Sequence, residues 1–240
     1  MKEVEILYED GDVLAVNKPA GLVVHGDGKT SEPTLVDWIL KKYPEIKEVG
    51  EPGRNPEGEI IYRPGIVHRL DRGTSGVMLV AKNQNSYEFL KKQFQNHQIK
   101  KTYYAFVVGE IKVTEGTIDR PIGRSSKDFR MWSAQRGARG EMREAVTDYK
   151  VLATGLGYSF IEVCPKTGRT HQIRVHFKAI SYPLVHDSLY APKHENTLGF
   201  ERLALHSYKI EYIGMDGVTK VVIAPQPDDF SRAIGLLQKH

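Results

Sequence analysis

Three groups of residues in this chain have types and spacings suited to chemistry. The first is Arg63-Pro64-Gly65-Ile66-Val67-His68-Arg69-Leu70-Asp71-Arg72-Gly73-Thr74-Ser75-Gly76, which leads into the apolar stretch Val77 to Val80. Charged and turn-forming residues packed this densely ahead of an apolar strand predict a loop presented at a sheet end, where catalytic groups tend to sit. Asp71 stands between Arg69 and Arg72. Nearby positive charge favours the ionised carboxylate that a nucleophile requires. A structural turn, with the Asp71 carboxylate bonding backbone amides, accounts for the same spacing.

The second group is Pro165-Lys166-Thr167-Gly168-Arg169-Thr170-His171-Gln172-Ile173-Arg174-Val175-His176. It predicts a strand end turning through Gly168 into a helix capped by Thr170. Ile173, Phe177 and Ile180 then face the core, and Arg174 projects from the flank. The arginine fork matches a carboxylate bidentately. A cation near a helix start opposes the dipole, which argues for a specific use. The third group is Lys100-Lys101-Thr102-Tyr103-Tyr104-Ala105. In a strand Tyr103 and Tyr104 point to opposite faces, so only one serves a given pocket. Packing alone also explains either tyrosine.

A basic segment follows. From Arg120 to Arg143 there are seven basic residues (Arg120, Arg124, Lys127, Arg130, Arg136, Arg139, Arg143) against Asp128 and Glu141, with Phe129 and Trp132 among them. Such a run can hold phosphates and stack on unpaired bases. A solvated surface accounts for the charge equally well. Its glycines predict an adaptable loop rather than a packed element. The formal net charge of +4 suits a polyanionic partner without requiring one.

The elements that position these groups are read from periodicity. Val13 to Val16, Val77 to Val80, Thr102 to Val108 and Phe160 to Val163 predict strands. Helical spacing links Leu35, Ile39 and Tyr43 behind Thr34, Tyr87, Leu90 and Phe94 behind Asn85, and Ile173, Phe177 and Ile180 behind Thr170. Residues 50–64, 123–140 and 192–199 punctuate the chain. The mixture lacks a regular βαβ rhythm and predicts an α+β fold with a mixed, mostly antiparallel sheet and flanking helices. The 240 residues, 40% hydrophobic and 27% charged, suit a globular chain. Cys164 is the only cysteine, which excludes a disulfide framework and a cysteine zinc site. The nine histidines show no His-Glu-x-x-His spacing. The acidic start and the lack of an apolar run near 20 residues make a cytoplasmic location without membrane association the expectation.

In combination, Asn17-Lys18-Pro19-Ala20-Gly21, His68-Arg69-Leu70-Asp71 with Thr74-Ser75-Gly76, Lys101-Thr102-Tyr103, and Gly168 through Arg174 resemble the RluA-type pseudouridine synthases. The resemblance implies one catalytic domain over residues 1–240, no cofactor, and no N-terminal RNA-binding domain of the S4 type. It implies that Asp71 is the essential aspartate, Tyr103 the active-site tyrosine, Arg174 the aspartate-pairing arginine, and Arg69 the residue that helps flip the nucleotide. Arg124, Arg130, Arg136 and Arg169 complete the expected RNA-binding set. The expected partner is an rRNA or tRNA stem-loop, with no obligate protein partner. One departure is His186-Asp187, where relatives commonly carry Gly-Asp, and it leaves the local turn open.

That chemistry breaks the N1–C1′ bond of uridine, rotates the uracil and joins C5 to C1′. The carboxylate attacks C1′ or removes the 2′ proton, and the sequence does not separate the routes. Tyr103 then stacks on or orients the uracil and helps take the C5 proton. Two rivals fit less well. A glycoside hydrolase needs a second positioned carboxylate, and none stands near the motifs. A pure RNA-binding module has no need of Asp71, Tyr103 and Arg174 together.

Overall fold

The computed structural model describes residues 3–26, 32–54, 58, 60–126, 128, 130–135, 138–194 and 196–238. In chain order the elements are β1 (Glu5–Glu9), β2 (Val13–Lys18), α1 (Leu35–Lys42), β3 (Gly53–Arg54), β4 (Ile60–Ile61), β5 (Ser75–Ala81) and α2 (Gln84–Gln95). There follow β6 (Lys100–Val108), β7 (Glu115–Asp119), β8 (Ile122–Arg124), β9 (Trp132–Ser133), β10 (Arg139–Arg143), β11 (Val146–Gly155) and β12 (Tyr158–Pro165). The remainder is α3 (Gln172–Ala179), β13 (Leu205–Ile213), β14 (Thr219–Ile223) and α4 (Asp228–Leu237). The fold is α+β with a mixed, mostly antiparallel sheet, as the periodicity predicted.

The chain divides into two compact units, residues 1–99 with 209–224, and residues 100–208 with 225–240. In the first, β2 pairs antiparallel with both β1 and β5, and β14 pairs with β13. β5 is buried along its whole length, so it reads as a continuous apolar run rather than an alternation. Its core joins Val77, Leu79 and Ala81 to Tyr87 and Leu90 of α2 and to Ile210 and Tyr212. α1 begins with a capping box, Thr34 and Asp37 each bonding the other's backbone N–H. In α2 the cap is Asn83, two residues before the expected Asn85: its side chain accepts from the Ser86 N–H and the Ser86 hydroxyl returns the bond.

In the second unit, β12 pairs antiparallel with β6 and β11, and β11 with β7. The core on one face is aromatic, with the Phe106 ring in contact with those of Phe160, Phe200 and Phe230 of α4. The segment expected to be an adaptable loop is instead a small antiparallel sheet in the order β10-β8-β9. Ile122 and Ala145 bury against Val175 and Tyr190, with Met131 and Trp132 packed alongside, and this cluster holds the short strands in place. Lys127, Phe129 and Arg136 lie outside the described residues, as do parts of the stretches 50–64 and 192–199. The N-cap of α3 is His171, not Thr170. His171 sits at φ 55 without a side-chain cap, and Gln172 takes over the work at this end, as described below.

Candidate active site

In the first unit Asp71 lies half-buried in the loop that enters β5. The loop is tied down at several points. Leu79 N–H donates to His68 Nε2 at 2.9 Å, and the His68 ring stacks on Phe94 at 4.6 Å. Ile66 bridges Val80, and Ala81 N–H donates to the Gly65 carbonyl at 2.9 Å. Gly65 has φ 67, and a Cβ there would stand 2.4 Å from the Ala81 carbonyl oxygen, so only glycine fits. Beyond the aspartate, Thr74 N–H donates to the Asp71 carbonyl at 3.1 Å and closes a turn.

The far side of that turn is gripped by a buried cation. Lys18 is 0% exposed, and its ammonium donates to the carbonyls of Leu22 (2.8 Å), Pro19 (3.1 Å) and Arg72 (3.3 Å). Gly21 N–H adds a bond to the Arg72 carbonyl at 2.7 Å. A buried ammonium is tolerated only with its protons satisfied, so Lys18 fixes the backbone next to Asp71. Arg72 itself pairs with Glu32 at the surface. Arg69 is exposed, and its Nη1 donates to His25 Nε2 at 3.4 Å. Burial, with Arg63 and Arg69 nearby, holds the His25 imidazole below its ordinary pKa.

In the second unit the strand register decides the two tyrosines. Tyr103 stands opposite Val163, and Val163 opposite Tyr149, so all three share a face. Tyr149 meets Phe177 of α3 ring to ring at 5.6 Å. Arg174 lies three residues before Phe177, so Tyr103 and Arg174 belong to the same side of the sheet. Tyr104 points the other way, stacked on Tyr208 at 4.2 Å and edge-on to Phe160. Burial and Tyr208 push its hydroxyl up to about 12. Lys101, two residues before Tyr103, shares the Tyr103 face. Its ammonium donates to the Thr167 carbonyl at 3.1 Å, and burial pushes it down to about 8.

Arg174 is 9% exposed and grips Asp187 with both arms of its fork, Nε to Oδ2 and Nη2 to Oδ1, each at 2.8 Å. Asp187, 1% exposed, also accepts from the backbone N–H groups of Leu189 and Tyr190. Such satisfaction is what a buried ion pair needs to persist. The open question of His186 resolves here: it sits at φ 55, the left-handed conformation in which glycine is unstrained. The histidine keeps the turn at a cost of about 1–2 kcal/mol. Beneath the helix start, Gln172 accepts from the Thr167 hydroxyl and Arg169 N–H and donates to the Val146 carbonyl and Thr147 hydroxyl. His176, fully buried, joins this network at Thr147 and the Arg120 carbonyl, and burial lowers its pKa.

Comparisons with known proteins place the chain in a family. A family model described as RNA pseudouridylate synthase matches residues 12–179. An RNA pseudouridine synthase of Bacillus subtilis, YlyB, is 38% identical over 99% of this chain and 74% of its own length. The ribosomal large subunit pseudouridine synthase D of Xanthomonas campestris is 36% identical, over 98% of this chain and 69% of its own. The chain belongs to the RNA pseudouridine synthase family, RluA type. It is an RNA uridine isomerase. The solved human RNA pseudouridylate synthase domain containing 4 superposes with a TM-score of 0.74 at 25% identity, covering 98% of this chain and 93% of that one. The human domain containing 1 gives 0.73 at 27% identity, over 94% and 84%.

For this synthase the expected RNA-binding arginines differ in setting. Arg124 is exposed and stacks over the Trp132 ring at 4.3 Å. Arg130 is exposed but engaged by both oxygens of Asp128, which lowers the Asp128 pKa. Arg169 is half-buried, its Nε donating to the Glu144 carbonyl at 2.9 Å. Arg136 lies outside the described residues. Sequence reasoning assigned no role to Lys18, Lys101, Asp187 or Tyr190. Lys18 and Lys101 stood inside the motifs, but nothing in a string of residues marks Lys18 as buried or Lys101 as half-buried. Asp187 carried a signal of its own, since a buried arginine demands a carboxylate and His186-Asp187 follows the helix.

Proposed function

We propose that the synthase converts a uridine in an rRNA or tRNA stem-loop to pseudouridine, with Asp71 as the reacting carboxylate. The single observation that carries the assignment of roles is the register of β6, which puts Tyr103 on the side of the sheet that α3 covers while Tyr104 packs into the opposite core. In this reading Asp71 attacks C1′ or removes the 2′ proton, and Tyr103 orients the uracil and assists loss of the C5 proton. Arg174, fixed by Asp187, supplies positive charge to the reaction. Arg69 helps flip the nucleotide, a step costing a few kcal/mol in a duplex and less in a loop. Residues 1–240 act as one catalytic domain, working in the cytoplasm without a cofactor. Arg124, Arg130, Arg136 and Arg169 hold the RNA backbone. Relatives named for the ribosomal large subunit support rRNA as the first substrate to try. The test is to incubate the protein with large-subunit rRNA and tRNA transcripts and map pseudouridine by carbodiimide modification and primer extension. A stop at one discrete uridine is expected. No stop in either RNA class would contradict the substrate assignment.

A further inference from the structure

Tyr190 is 2% exposed, and its two ends meet different parts of the second unit. Its hydroxyl accepts from the backbone N–H of Trp132 in β9 at 2.9 Å. The same oxygen lies 3.0 Å from Nδ1 of His171, the residue that opens α3. Its ring face lies under the Arg174 guanidinium, 4.9 Å from centroid to Cζ. Its own N–H donates to Asp187, the partner of Arg174. On the outer side Trp132 carries Arg124 over its ring at 4.3 Å. One buried side chain therefore touches the small basic sheet, the start of α3 and the arginine on α3.

We propose that Tyr190 is a positioning residue with two duties: it places the basic sheet for RNA and it orients Arg174. The inference rests on the proposed reading of that sheet as an RNA contact. Phosphate held at Arg124 acts on Trp132, whose main chain hangs on the Tyr190 hydroxyl. That hydroxyl bears on His171, and the ring bears on Arg174. The two ends of the side chain have separable duties: the hydroxyl sets the basic sheet, and the ring face sets the guanidinium.

Two substitutions separate them. In Tyr190→Phe the ring remains over Arg174 and the bonds to Trp132 and His171 are removed. Apparent KM for RNA should rise about fivefold, the effect of deleting the one of these two bonds that ties Tyr190 to the basic sheet, with kcat within twofold. The dependence of log affinity on log salt should flatten as Arg124 loses its placement. Tyr190→Leu removes the ring as well, and kcat should fall by about a further threefold to thirtyfold, the range of a desolvated cation–π interaction. A merely structural role would move KM and kcat together in both variants and leave the salt slope alone, and that result would overturn the proposal. Arg124→Ala is measured in parallel. If it leaves the salt slope unchanged, the basic sheet does not hold RNA and both readings fall. If Arg124→Ala flattens the slope and Tyr190→Phe does not, the basic sheet holds RNA but Tyr190 does not place it, and the proposal falls alone.

Discussion

The loop at residues 63–76 and the segment at residues 120–143 are both arginine-rich and poor in periodicity, yet they are built in opposite ways. The loop is fixed through its backbone: His68 accepts from β5, Gly65 bridges to Ala81, and the buried Lys18 and Gly21 hold the Arg72 carbonyl. The segment is fixed through a few apolar side chains under it, Ile122 and Trp132 above all. Its described cations are exposed, as is every residue of β10. The contrast teaches that arginine content alone does not define a role. In the loop, buried donors clamp carbonyls; in the segment, charge stands in water on a thin apolar support.

Lys18→Met breaks the comparison at its strongest point. It removes the ammonium from the carbonyls of Leu22, Pro19 and Arg72, of which Pro19 and Arg72 keep the N–H groups of Leu22 and Gly21. A buried acceptor left unpaired costs about 1–3 kcal/mol, so a loss of about 2 kcal/mol is expected in urea unfolding, with turnover reduced alongside. A loss under about 1 kcal/mol, close to the ordinary range of surface substitutions, would show that the ammonium does not hold the loop.

A smaller effect is expected from the segment. Arg124→Ala combined with Arg139→Ala should change stability by no more than about 0.5 kcal/mol, because both residues are exposed. RNA affinity should weaken similarly across sequences, and its salt slope should drop by roughly 0.7 for each phosphate that is no longer neutralised. A weakening confined to one RNA sequence would instead make the segment a reader of bases.

How much of this was legible in the sequence depends on what held each part. The apolar strands at Val13, Val77, Thr102 and Phe160 and the helices behind Thr34, Asn85 and Thr170 were visible, because their periodicity is their reason for folding. α4 left a fainter trace: Phe230, Ala233 and Leu237, all buried, recur at helical spacing. The small basic sheet left none. Its strands are two to five residues long, and their support comes from Val175 and Tyr190, far along the chain. The cap of α3 was misplaced for a similar reason, since Gln172 answers to Val146 and Thr147 rather than to its neighbours alone. Motif residues named the candidate site, and periodicity set Tyr103 and Tyr104 on opposite faces. Only the register across β6, β12 and β11 says which of those faces α3 covers.

The fixed loop is proposed to present one reacting carboxylate. Asp71→Asn tests it most directly, because the amide keeps the shape and removes the charge. The measurement is tritium release from RNA carrying 5-tritiated uridine, with RNA binding and the thermal midpoint recorded on the same preparation. The account predicts no release above background, binding within about twofold of the parent and an unchanged midpoint, an outcome in which only the chemistry is lost. Substantial release by a folded, RNA-binding Asp71→Asn protein would contradict it and remove Asp71 from the reaction.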